Sequence, residues 1–252
     1  MIDLLPLTLE GNEPVEWQGE TPQLRWRWQG EGVLELTPRQ PYRQAMVMSA
    51  GVHGNETAPI ELLNQLVGDL LAGRLPLRVR LLVVLGNPAA MRAGKRYLHS
   101  DMNRMFGGRY RNFAASGETV RAQQLERALA AFFDGEQAAR FHYDLHTAIR
   151  ESRLPRFGIL PFQKRPYSEP MLKLLDAADL DALVVHSAPA ALLAIIPANI
   201  SMRRAVRSSW ARRGRSAATI CSSSPPSISL CGRRSVKGPC RRVRPMRFGF
   251  SA

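Results

Sequence analysis

Residues 17–38, WQGETPQLRWRWQGEGVLELTP, alternate apolar and polar positions around glycine-containing turns, the pattern of hairpin strands. From Ala45 the texture changes. AMVMSAG and, at 79–86, VRLLVVLG are short apolar runs, each followed by a polar loop, as buried parallel strands require. Between them TAPIELLNQLVGDLLAG places Ile60, Leu63, Val67, Leu70 and Leu71 near helical spacing, with Pro59 in the first turn and Gly73 as a stop. A second helix is predicted over 118–133, with Val120, Leu125, Leu129 and Phe132 on one face. HYDLHTAI, RFGILPF and ALVVHSA read as further strands, and 168–180 as a helix with Ser168 as its N-cap and Pro170 in its first turn. Strands and helices alternating in this way predict an α/β fold: a mixed, mostly parallel central sheet with flanking helices, preceded by an N-terminal β-hairpin region. No internal repeat interrupts the pattern.

Charge divides the chain. The 252 residues carry 35 basic and 21 acidic groups, a net of +14 that taken whole suggests a nucleic-acid binder. From Ser187 onward, however, there are 13 Lys or Arg and no acid, leaving 22 basic and 21 acidic residues before it, a net of +1. A near-neutral body is joined to a basic tail. All three cysteines (Cys221, Cys231, Cys240) lie in the tail, so the body has no disulfide framework and fits a reducing compartment. The start, MIDLLPLTLEG, lacks the basic region and long apolar run of a signal peptide. The longest apolar stretch, near Ala188–Ala198, is about half of what a spanning helix needs. The expectation is a cytoplasmic protein with no membrane partner.

The sharpest local feature is GVHGNETAP at 51–59, directly after a predicted strand. His53 and Glu56 leave one glycine-flanked loop, and an imidazole and a carboxylate so placed can both reach a Zn²⁺ at about 2.0–2.2 Å. A third ligand is offered by His146 in HYDLHTAI, with Asp144 on the same side of that strand. H-x-x-E alone also fits a chance pair or a surface histidine; the strand-end setting, the glycines and the D-x-H favour the metal. A second group, Arg96, Asn103 and Arg104, lies in the loop GNPAAMRAGKRYLHSDMNRMFGG. An arginine fork binds carboxylates and, aimed at a scissile carbonyl, stabilises an oxyanion. Taken alone, these residues read more simply as a solvated basic loop.

In order, G-x-H-G-N-E, N-P-x-A-x-R…K-R-Y-x-x-x-D-M-N-R-x-F and D-L-H-T-A-I-R resemble the zinc carboxypeptidase superfamily, in its succinylglutamate desuccinylase and aspartoacylase branch. The resemblance covers residues 1 to about 189. It implies a zinc carboxypeptidase-like catalytic domain over 1–189, with one Zn²⁺ per chain held by His53, Glu56 and His146. It further implies that Asn103 and Arg104 hold a substrate carboxylate, that Arg96 polarises the amide carbonyl, and that Asp101 orients His53. Asp144 stands in the same relation to the third ligand. The implied reaction is hydrolysis of the amide of N-succinyl-L-glutamate to succinate and L-glutamate, a step of arginine breakdown. Aspartoacylase-like cleavage of another acidic N-acyl amino acid is the alternative. His99, His142 and His186 are left as loop or packing residues, and the oligomeric state is not legible.

The family's general base is a glutamate in a T-L-E-L-G-K motif downstream of the last ligand. That motif is absent here, and no acidic residue follows Asp181. Joining the third base of each codon to the first two of the next, with synonyms free, allows T-L-E-L-G-K to reappear. Its glutamate spans Ser208 and Ser209, and Trp210–Ala211 force its glycine. The expectation is a frame slip near Pro189–Ala190, leaving 190–252 as a disordered Arg/Ser/Pro-rich tail and an enzyme impaired for want of its base. Two other readings stand beside it: an active amidohydrolase with a substitute base, and a nucleic-acid-binding arm, which would show steep salt dependence.

Overall fold

The computed structural model describes residues 2–147, 156–162, 166–167, 169–178, 180–186 and, for backbone only, 199–204. Five helices are described: α1 (Leu4–Glu10), α2 (Thr57–Leu71), α3 (Pro88–Arg92), α4 (Gly117–Phe133) and α5 (Glu169–Ala177). Nine strands are β1 (Gln18–Glu20), β2 (Leu24–Gly30), β3 (Val33–Pro38), β4 (Gln44–Ala50), β5 (Arg80–Leu85), β6 (Ala139–Thr147), β7 (Arg156–Leu160), β8 (Ala182–Val185) and β9 (Asn199–Arg204). They form one sheet in the order β1-β2-β3-β5-β4-β6-β9-β7-β8. β5, β4, β6 and β9 run parallel, as do β7 and β8, while the N-terminal meander and the β7–β9 pair are antiparallel. The sheet is mixed with a parallel centre. The hairpin region extends it rather than preceding it, because β3 pairs directly with β5.

The central strands are apolar on both faces because both are covered. Met46, Met48, Leu81 and Val83 pack with Ile60, Leu63, Val67 and Leu70 of α2. Val47, Leu82 and Val84 pack with Leu125, Leu129 and Phe132 of α4. Fully burying each such side chain contributes about 1.5–3 kcal/mol. After β4 the chain crosses through α2 to β5; after β5 it crosses through α4 to β6, on the other side of β4. The connections diverge at β4, and a crevice at the carboxyl ends of the strands is where such sheets place a site.

Several expectations are corrected. Val120 is 55% exposed, and Ala122 takes its place on the buried face of α4. The loop 86–108 is not a solvated basic loop: α3 forms within it, and Met102, Met105 and Phe106 are fully buried. Within the expected tail, Asn199–Arg204 is a strand seated between β6 and β7. The central strand β6 would otherwise leave a row of backbone donors and acceptors unpaired on that side, which β9 satisfies. The other tail residues lie outside the described set, as do Ser168, the cysteines and the positions of the frame-slip reading. Among the described residues no helix is long and apolar enough to cross a membrane.

Candidate metal centre

The loop after β4 is shaped by two glycines. Gly51 takes φ +70°, a left-handed conformation that turns the chain sharply off the strand. Gly54 passes so close to α3 that a Cβ there would sit well inside contact distance of the backbone of Ala90 and Met91. His53, between them, and Glu56, at the start of α2, therefore face inward and are buried. His146 reaches the same point from the end of β6. Along that strand Phe141, Tyr143 and Leu145 join the α2-side core, which puts His142, Asp144 and His146 together on the opposite face.

Ligand atoms of His53, Glu56 and His146 all lie within 4.8 Å of one another. His53 Nδ1 is 3.0 Å from Glu56 Oε1 and 3.2 Å from His146 Nδ1, which in turn is 3.0 Å from Glu56 Oε2. The outer nitrogens are each committed to a carboxylate. His53 Nε2 lies 3.0 Å from Asp101 Oδ1, and His146 Nε2 2.7 Å from Asp144 Oδ2. With a cation bound, donation of Nε2–H to these carboxylates would leave each Nδ1 lone pair for the ion. Two imidazole nitrogens converging on one carboxylate suit a transition-metal dication, while Arg96 and the Thr147 N–H also donate to that carboxylate.

The field in the centre points the same way. Burial works against charge on His146, yet Asp144 and Glu56 push its pKa up to about 9. Burial likewise opposes ionisation of Glu56, Asp101 and Asp144, but their histidine partners hold all three carboxyls below the usual range. Positive charge is stabilised at this point.

The second predicted group divides. Arg96 is at the centre: its Nη1 lies 3.0 Å from Glu56 Oε1, and its carbonyl accepts from the Gly54 N–H at 3.2 Å. Asn103 is buried; its N–H donates to Asp101 Oδ1 at 3.1 Å, and its Oδ1 has no hydrogen-bond partner. Arg104 is open to solvent, with its side chain 78% exposed and its Nε 3.7 Å from Asp101. His99 is exposed, and His186 is half-buried with its N–H bonded to the Leu160 carbonyl.

Two features escaped the sequence reading. His142, expected to be packing, is buried with Nε2 2.9 Å from Ser49 Oγ, and Ser49 donates to Asp144 Oδ1 at 2.7 Å. Extending the D-x-H period by two residues would have found His142; Ser49 needs the β4–β6 register, which pairs it with Asp144. Glu118, in the first turn of α4, accepts from the N–H groups of Leu98 (2.6 Å) and His99 (3.2 Å), while Glu126 accepts from Gly107 and Gly108. These two carboxylates clamp the loop that carries Arg96 and Asn103.

Comparison with known proteins shows the family. The model of the succinylglutamate desuccinylase/aspartoacylase catalytic domain matches residues 42–221, past residue 189 where the resemblance was expected to end. A succinylglutamate desuccinylase of Serratia proteamaculans is 77% identical over 189 residues, 75% of this chain and 58% of that protein. One from Yersinia pestis is 60% identical over 188 residues, 74% and 57%. The chain thus spans somewhat over half the length of these relatives. The crystal structure of the Chromobacterium violaceum succinylglutamate desuccinylase superposes with a TM-score of 0.75 at 34% identity, covering 84% of this chain and 68% of that one. The chain belongs to the succinylglutamate desuccinylase/aspartoacylase catalytic-domain family.

Proposed function

We propose that this chain is a zinc amidohydrolase directed at N-succinyl-L-glutamate, releasing succinate and L-glutamate, and that as written it works slowly for want of a general base. The observation that carries the reading is the convergence of His53 Nδ1, Glu56 and His146 Nδ1 within 4.8 Å. Three protein ligands of these types make an open, catalytic set rather than a closed structural one. When bound there, Zn²⁺ supplies Lewis acidity toward water and the amide carbonyl.

The chain's own groups account for the rest. Arg96, 3.0 Å from Glu56, can direct its remaining donors at the oxygen on which negative charge develops. Arg104 and Asn103 offer a charged fork and a neutral amide to a substrate carboxylate. Water adds to the amide carbon, the C–N bond breaks, and the leaving nitrogen must gain a proton. The nearby carboxylates are engaged elsewhere: Asp101 with His53, Asp144 with His146, Glu118 with loop amides. No acid follows Asp181. A frame slip near Pro189–Ala190 accounts for both that lack and the Arg-rich tail.

The test has two parts. Metal analysis should find about one zinc per chain, lost in His146→Ala. In an assay on N-succinylglutamate, a version with the frame restored after Pro189 should exceed this chain by about 10²–10⁴-fold in kcat, the usual contribution of general acid–base catalysis. Equal rates would show that another group moves the proton.

A further inference from the structure

Four polar side chains form one continuous buried line behind the candidate centre. His142 Nε2 lies 2.9 Å from Ser49 Oγ, Ser49 Oγ 2.7 Å from Asp144 Oδ1, and Asp144 Oδ2 2.7 Å from His146 Nε2. All four residues are 0–2% exposed. The donors can be assigned along the whole line. An ionised Asp144 only accepts, so Ser49 gives it the hydroxyl proton and His146 gives it Nε2–H. The Ser49 oxygen, its one proton spent, can then only accept from His142. His142 is therefore the Nε2–H tautomer, and its Nδ1 has no hydrogen-bond partner. Burial, partly offset by Asp144, pushes the His142 pKa down to about 4, so the ring is neutral and a single donor near pH 7.

We propose that Ser49 and His142 are positioning residues of the metal centre, holding Asp144 so that His146 presents Nδ1 to the ion. The proposal rests on the zinc reading above. Asp144 has two carboxylate oxygens, and His146 takes Oδ2. With the other held by Ser49, the carboxylate cannot rotate, and with Ser49 held by His142 the hydroxyl cannot turn away. The buried imidazole with an unpartnered nitrogen has no packing rationale of its own, since a leucine would fill the same volume without the desolvation cost. Its place at the head of the line supplies one.

The experiment measures zinc affinity of the full chain by competition with a chromophoric chelator, and the visible spectrum of the Co²⁺-substituted protein. Ser49→Ala should bind zinc about 10-fold more weakly, the low end of the 10–100-fold typical for partners that orient metal ligands, and should shift the cobalt bands. His142→Leu keeps the volume and removes the donor, and should behave likewise. His142→Gln keeps an N–H near the Nε2 position and should stay within about threefold of the parent. That pair decides the matter even if Ser49→Ala does not fold. Parent-like affinity and spectrum in folded Ser49→Ala, or equal weakening by His142→Gln and His142→Leu, would overturn the positioning role. A parent chain that binds no more zinc than His146→Ala would instead overturn the metal reading beneath it.

Discussion

The Nδ1 atoms of His53 and His146 face each other at 3.2 Å, while their Nε2 atoms lie against Asp101 and Asp144. Two ring nitrogens held so close to each other and to Glu56 in a buried site favour a positive charge between them. Zinc should therefore stabilise the fold, since an ion that binds only the native state contributes RT ln(1 + [L]/Kd). At a free concentration 1,000 times Kd this is about 4 kcal/mol. Thermal unfolding with saturating Zn²⁺ and with excess chelator should differ by several degrees. Identical midpoints would mean that the three groups do not act as a ligand set.

Asp101 should matter to the metal more than to the fold. Its Oδ1 accepts from both His53 Nε2 and the Asn103 N–H. Asp101→Asn keeps the size but removes the negative charge 3.0 Å from His53 Nε2. Zinc affinity should drop by about 10–100-fold, with the unfolding free energy of the zinc-free protein in urea within about 1 kcal/mol of the parent. A change in unfolding alone would reduce Asp101 to a cap of the turn at 102–104.

Much of this was legible from the order of residues, for physical reasons. Apolar runs and helical spacing mark what is buried on two faces, so β4, β5, α2 and α4 stand out, and short motifs at strand ends mark His53, Glu56 and His146. Ser49 was not legible because its role depends on the register that sets it opposite Asp144. Glu118 reads as an ordinary first-turn acid, and only the fold of a loop twenty residues upstream gives it Leu98 and His99 as partners. The strand β9 escaped because the basic composition of its surroundings masked six residues that alternate in β fashion.

Gly54→Ala should be severe. A methyl there meets backbone at Ala90 and Met91, which cannot move as a side chain would. Overpacking typically costs about 1–3 kcal/mol and can cost more. The loop carrying His53 would have to shift away from α3, so urea unfolding and zinc content should fall together. A variant with parent stability and full zinc would show that α3 yields instead.

Glu118→Ala removes the acceptor for two backbone N–H groups and should cost about 1–3 kcal/mol. The loss should be local to the loop carrying Arg96. Hydrogen exchange at Leu98 and His99 should accelerate while exchange in β4 and β6 stays slow. In a frame-restored enzyme KM for N-succinylglutamate should rise more than kcat falls. Uniform acceleration of exchange across the sheet would make Glu118 a general stabiliser of α4.

On the α4 face of the sheet, at β3, Glu35 is buried between Arg27 and Arg80, 2.9 and 2.8 Å away. Burial alone would raise its pKa, but the two guanidinium groups outweigh it and hold the carboxyl below its ordinary 4.5. A folded-state pKa below the unfolded one gives stability that is fully present above about pH 4.5 and is lost as pH falls through the lower folded value. Each proton so taken up steepens the acid limb by up to about 1.4 kcal/mol per pH unit. Glu35→Gln should therefore be less stable than the parent at neutral pH, and the gap should close as the pH is lowered below 4.5. Unfolding free energies of the two proteins measured in urea between pH 3 and 7 give the comparison. A gap that stays constant over that range would mean that Glu35 contributes through packing and hydrogen-bond geometry alone, not through its charge.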